Sequence, residues 1–316
     1  MSVGIEQPTA TPVASALSER SWRFRAMGGW VSLRVATPAG SERQAEADLA
    51  MVAARIDRWA SRITRFAASS ELAILNAEPA AETCSVGPSL GALLARARSL
   101  SVATGGLVDV TLLAARLAAE QGVEAGVPEG TWSLAPARRG WQVSRRGRVA
   151  FDLDGVGKGW IADRALQLLR HYPQAMVDAD GDIAMRTTEH SDWGVAIEDP
   201  RRRTSDLAVL ARPAVLGTGT FGIATSGTSV HRWQVGSGWA HHLIDPRTGR
   251  PAQTDVVQTT VVAVDALTAE ALAKSVVIAG SDAGLRTLQR SGAHAAVLLL
   301  NDGELVMPAG TEAWLA

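Results

Sequence analysis

Strand-like and helix-like stretches of this 316-residue chain come in clumps instead of alternating. That order argues against a doubly wound parallel sheet, in which each strand leads into a helix, and predicts an α+β fold of mixed or antiparallel sheets flanked by helices. A strand or hairpin is expected over 22–36, where polar and apolar residues alternate beyond Gly28-Gly29. A helix is expected over 41–64, with Ala45, Leu49, Ala53, Ile56 and Trp59 at helical spacing, and another over 90–103, stopped by Thr104-Gly105-Gly106. A hydroxyl can cap a short helix within 69–76. Residues 122–136 read as an irregular crossing and 140–153 as a hairpin turning at Arg145-Arg146-Gly147. Further helices are expected over 161–169, 267–278 and 281–290. Further strands are expected over 175–177, 193–197, 207–210, 222–225, 256–264 and 295–300. No repeat or linker divides the chain, so 22–316 reads as a single large domain behind a flexible tail, 1–21.

Composition narrows the function classes. A net charge of −1 and a lone basic triplet, Arg201-Arg202-Arg203, offer no one-signed patch for nucleic acid or a membrane surface. The single cysteine, Cys84, excludes an intramolecular disulfide and a multi-cysteine metal site. The first twenty residues lack the apolar run of a signal peptide, and no later stretch is long enough to span a bilayer. A cytoplasmic location without a transmembrane segment is therefore the expectation.

Only two of the 31 basic residues are lysines, and both lie in segments rich in small residues. Lys158 belongs to Gly155-Val156-Gly157-Lys158-Gly159, and Lys274 to Ala269-Glu270-Ala271-Leu272-Ala273-Lys274. A compact ammonium on a flexible stem can reach one phosphate oxygen or fill a cation-sized hole, which a planar guanidinium cannot. The segment 152–159 looks like a phosphate cradle, yet it has neither P-loop spacing nor the dinucleotide-binding glycine fingerprint. Asp178-Ala179-Asp180-Gly181-Asp182 lacks the EF-hand register and reads as a strand ending in a turn. Ala224-Thr225-Ser226-Gly227 puts hydroxyls where a strand becomes a loop; it is either a plain turn or a donor surface for a phosphate or a flavin edge. In His241-His242-Leu243-Ile244-Asp245-Pro246-Arg247-Thr248-Gly249 the two imidazoles face opposite sides of a strand, so only one can enter a given cleft. There it would suit general-base work near neutral pH; otherwise both are ordinary strand residues.

Taken in order, these segments resemble the ApbE family of FAD:protein FMN transferases. The resemblance rests on Met27-Gly28, Ser70-Glu71-Leu72 with Leu75-Asn76, Gly106 with Asp109 and Thr111, Asp152-Leu153 with Lys158-Gly159, Gly181-Asp182, Ala224-Thr225-Ser226-Gly227, and His242 through Gly249. It spans about Phe24 to Gly280. It implies an enzyme that binds FAD as substrate and attaches its FMN half to a Ser or Thr of an acceptor protein bearing a flavinylation motif, releasing AMP. FAD pyrophosphate hydrolysis and flavin binding without turnover are the alternatives. The resemblance makes His242 and Lys274 the catalytic candidates. It puts Met27, Gly28, Asp109, Lys158, Gly159, Thr225, Ser226, Gly227, His242 and Asp245 around the flavin nucleotide. No acceptor motif occurs in the chain itself, so self-flavinylation is not expected.

The departures from the family pattern carry as much information. The family holds a magnesium ion with an Asp and a Thr in the segment that here reads Glu270 to Lys274, so Glu270 is the metal candidate and Lys274 replaces a ligating hydroxyl by a cation. Four apart on a helix, the two can pair. Three outcomes are open: Lys274 screens the FAD pyrophosphate in place of magnesium, the site is damaged, or Lys274 turns outward and Glu270 still binds metal. Gly29 stands for a Thr, Val110 for a proline, and Asp154 and Asp180 for glycines. The two aspartates add negative charge where phosphates are expected.

Overall fold

The computed structural model describes residues 17–123, 126–127, 129–188, 191–235 and 238–316. The chain opens with β1 (Leu17–Ala26), β2 (Gly29–Pro38), α1 (Glu42–Ile63), α2 (Glu71–Ala77), β3 (Thr83–Val86), α3 (Pro88–Ala103) and α4 (Leu113–Glu120). Then come β4 (Thr131–Ala137), β5 (Gly140–Arg146), α5 (Gly157–Leu168), β6 (Gln174–Ala179), β7 (Asp182–Thr187), β8 (Gly194–Asp199) and β9 (Arg202–Ala211). The last part holds β10 (Gly219–Gly227), β11 (Arg232–Val235), β12 (Gly238–His241), β13 (Ile244–Asp245), β14 (Arg250–Pro251) and β15 (Val256–Ala263). It ends with α6 (Ala266–Ala279), α7 (Ser281–Ser291), β16 (Ala295–Leu300) and β17 (Leu305–Val306).

An eight-stranded sheet in the order β1-β2-β6-β7-β10-β15-β16-β17 is the frame, and every pairing in it is antiparallel. Strand alternation sends Val31, Leu33, Val35, Ala175 and Val177 to one face, where α1 and α5 cover them. Ala224, Val261 and Leu298 continue that face under α6. On the other face Ile183, Met185, Ile223, Val262 and Val297 meet Trp193, Ile197 and Leu210 of the β8–β9 hairpin region and Trp314 near the C-terminus. With both faces buried, this antiparallel sheet has its core on two sides. The class is α+β, as the order of elements predicts.

Several boundaries differ from the sequence reading. Leu17 to Ser21, assigned to the tail, belong to β1, whose register runs from Leu17 opposite Pro38 to Ala26 opposite Gly29. The strand lies at the sheet edge, where polar side chains are tolerated, so its composition hides it. Residues 1–16 of the expected tail lie outside the described residues. The irregular crossing contains β4, which pairs with β5 through a turn at Arg138-Arg139. The same Arg-Arg-Gly triplet occurs at 138 and at 145, and the expected hairpin took the wrong one. Arg145 is buried and donates to the carbonyls of Leu75, Glu78 and Val149, so it staples the β5 end to α2 and does not turn a loop.

Candidate active site

Two tight turns lie side by side at one end of the sheet. Met27 and Gly28 connect β1 to β2 with φ of 53° and 80°, and Asp180 and Gly181 connect β6 to β7 with φ of 61° and 97°. Both are two-residue hairpins with left-handed backbone at both central positions, the geometry whose twist matches that of the flanking strands. Ala179 faces Val31 across the ladder, which brings the turns together. A Cβ placed on Gly29 would collide with the Asp180 carboxylate. The Asp180 side chain thus occupies the room that a side chain at 29 would need. Asp180 also accepts from Lys158 Nζ at 2.8 Å.

Lys158 lies in the first turn of α5, and burial by itself would lower its pKa. The bond to Asp180 and the charges of Asp182, Asp180 and Glu270 outweigh that and raise it. Asp154 is exposed and 3.6 Å from Arg65, so neither added aspartate is left as an unpaired charge. The segment leading into α5 is positioned by the Ser70–Asn76 segment. Ser70 caps α2 by accepting from Ala73 N, and Asn76 bonds both the N–H and the carbonyl of Phe151.

The starts of α5 and α6 lie against each other. A Cβ on Gly159 would lie 2.8 Å from the Ala266 backbone, so only glycine permits the approach. Each helix then caps the other. Glu270 of α6 accepts from Gly159 N at 3.0 Å, and Asp163 of α5 accepts from Ala266 N at 2.8 Å and Leu267 N at 3.0 Å. Asp265 adds the local cap by accepting from Thr268 N. Burial pushes the Glu270 carboxyl up to about 7, against the opposing pull of Lys274 and the Gly159 N–H. Burial and then Asp265 push Asp163 up to about 7. Burial and Glu270 raise Asp182 well above the carboxylate range.

Beside this cluster a cleft is lined by Asp109, Asp152, Gly155, His242 and Lys274 among others. Asp109 forms an Asx turn, accepting from Thr111 N and Oγ1 at 2.8 Å each. The two histidines have different surroundings. His241 Nε2 lies 2.9 Å from the Ala252 carbonyl and its Nδ1 accepts from Leu243 N, so its ring is spent on structure. His242 lines the cleft; its carbonyl is held by Arg116 and its buried Nδ1 has no hydrogen-bond partner among the described residues. Burial, then Lys274 and Arg116, push the His242 pKa down to about 2, so its ring is neutral.

The expected residues do not all share the cleft. His242, Lys274 and Asp109 do; Met27, Gly28, Lys158 and Gly159 lie with the neighbouring turns and helix start. On β10, Ala224 packs toward α6 and Ile223 toward the opposite face, so alternation puts Ser226 on the α6 side and Thr225 on the other. Thr225 pairs with the Thr260 hydroxyl at 2.8 Å, and Gly227 runs close to β15. Asp245 is buried and its carboxylate is bonded to Arg247, while its carbonyl accepts from Thr248 and Gly249; it fixes the turn. Asp163 escaped the sequence reading, and Asp182 was read only as part of a turn and a family motif, because their partners, 103 and 88 residues away, appear only when α5, α6 and β7 meet.

A divalent ion does not suit this donor set. Among the described residues no three His, Cys, Asp or Glu side chains converge as metal ligands. Glu270 is already engaged by the Gly159 N–H, and the Lys274 ammonium stands one helical turn further along in the same site.

The sequence profile of the ApbE family matches residues 27–299. An FAD:protein FMN transferase of Salmonella typhimurium is 28% identical over 169 residues, 52% of this chain and 45% of that protein. One from Treponema pallidum is 28% identical over 201 residues, 60% of this chain and 51% of that protein. The chain thus spans about half the length of these curated relatives. Among solved structures, the ApbE protein of Thermotoga maritima superposes with a TM-score of 0.76 at 23% identity, covering 95% of this chain and 100% of that one. The flavin transferase ApbE of Vibrio cholerae does so with 0.73 at 22%, over 95% and 100%. These superpositions show a shared fold.

Proposed function

The chain belongs to the ApbE family, and on that premise we propose that it moves FMN from FAD to a Ser or Thr hydroxyl of an acceptor protein. The acceptor oxygen attacks the flavin-side phosphorus and the bond from that phosphorus to the bridging oxygen breaks. AMP leaves with the bridging oxygen, and the hydroxyl proton passes to a base. The observation that carries the reading is His242, which lines the cleft that Lys274 and Asp109 share and whose buried Nδ1 has no hydrogen-bond partner among the described residues. As the Nε2–H tautomer, a neutral His242 offers that nitrogen as acceptor for the hydroxyl proton. Burial is the main cause that holds its proton affinity down; a bound diphosphate offsets the further contribution of the Lys274 and Arg116 charges, so the base strengthens by that part as the substrate arrives.

The test is to incubate the purified protein with FAD and an acceptor bearing a flavinylation motif. AMP release and a fluorescent, covalently labelled acceptor band are expected together. AMP without a labelled acceptor makes the protein a hydrolase, and bound FAD without AMP makes it a flavin carrier. His242→Ala is expected to slow transfer by about a hundredfold or more, the scale of general-base catalysis, while FAD affinity changes by less than about threefold. Equal losses of rate and affinity remove the catalytic role.

A further inference from the structure

We propose that the Lys274 ammonium, seated on Gly155, is the cation that receives the FAD diphosphate, and that the protein binds this substrate without a divalent metal ion. The inference rests on the flavin-transferase reading and goes beyond it. Lys274 projects from α6 into the cleft that holds His242, and a Cβ added at Gly155 would fall on its Nζ. The missing side chain at 155 is therefore what lets the ammonium lie there. The two lysines are also differently employed. Lys158 is paired with Asp180, whereas Lys274 makes no hydrogen bond or ion pair among the described residues. Its three donors are unclaimed in an otherwise closely bonded region.

Charge supports the assignment. Lys274 follows Glu270 by one turn on the same face of α6, and it lines the cleft together with Asp152 and Gly155. A divalent ion brought into that space would have to sit against an ammonium and compete with Gly159 N for Glu270, the carboxylate proposed to hold it. A tethered ammonium supplies one positive charge where a metal supplies two. The first turn of α5 adds the positive end of a twelve-residue helix beside it. A point charge on four methylenes can follow a phosphate oxygen during transfer, which a guanidinium seated on the same glycine would be too broad to do.

The experiment is FAD binding, read by flavin fluorescence, for the wild type in EDTA and in millimolar magnesium, with the metal content of the purified protein measured alongside. The same affinity in both buffers and substoichiometric metal are expected. Lys274→Met, checked for folding by circular dichroism, should lose roughly ten- to a hundredfold in affinity in either buffer, the loss expected of a charge-assisted hydrogen bond. A tenfold or larger loss for the wild type in EDTA, or unchanged affinity in Lys274→Met, overturns the proposal and leaves the flavin reading standing. No FAD binding in either buffer overturns the flavin reading and the proposal with it.

Discussion

An imidazole that is to accept a proton from a neutral hydroxyl must have one ring nitrogen unprotonated, and burial keeps His242 in that neutral form. The sequence showed two adjacent histidines and the rule that only one could enter a cleft. It could not show which one, because the bond from His241 to Ala252 depends on how β14 returns beside β13. The lysine in place of a family hydroxyl was plain at once, whereas its direction was not; Gly155 decides it. Gly155→Ala makes a separate prediction. The backbone there is not left-handed, so alanine is conformationally tolerated, but its methyl must displace the ammonium. FAD affinity should fall by about tenfold, as for a lost charge-assisted bond, while the melting temperature stays near that of the wild type. A fluorescence titration and a thermal melt check both halves.

Reciprocal capping makes α5 and α6 one unit, with consequences for stability. Asp163 and Glu270 keep their protons in the folded chain up to about pH 7, whereas in the unfolded chain they ionise near pH 4. Folding therefore takes up protons between those values, and this contribution to stability falls as pH rises through the window. The unliganded protein should melt at a higher temperature at pH 5 than at pH 8. Asp163→Asn should flatten that dependence and cost about 1 kcal/mol, since one amide oxygen replaces two carboxylate oxygens at the cap. Thermal melts across pH test both. Both helices were legible as helices from their apolar spacing. Their mutual capping was not, because the residues involved are about a hundred positions apart. Helix α4 was missed for a local reason: its eight residues, Leu113 to Glu120, are too few to display a period.

The clumped order of strands and helices carried the fold class through to the finished sheet, since antiparallel neighbours can be joined by short turns and need no helix between them. The location of the site at one end of that sheet was out of reach. Residues from 27 to 274 meet there only after β1–β2 and β6–β7 have turned side by side and α6 has laid itself along β10. Because the cleft draws on so many segments, a ligand in it should brace the whole molecule. FAD at about a hundred times its dissociation constant should add about 2.7 kcal/mol to the unfolding free energy and raise the melting temperature by several degrees, as differential scanning fluorimetry would read.

Positions 29 and 180, on neighbouring hairpins, have room for one side chain between them, and the chain has spent it at 180. Neither position is then at liberty to drift alone. A hydroxyl side chain at 29 needs the Asp180 carboxylate to swing aside or to be removed, and either change takes the anchor from the Lys158 ammonium. Lys274 in the cleft and Lys158 in the neighbouring helix start would then both be loose ammonium groups, and the grip on a dinucleotide would change with the second of them.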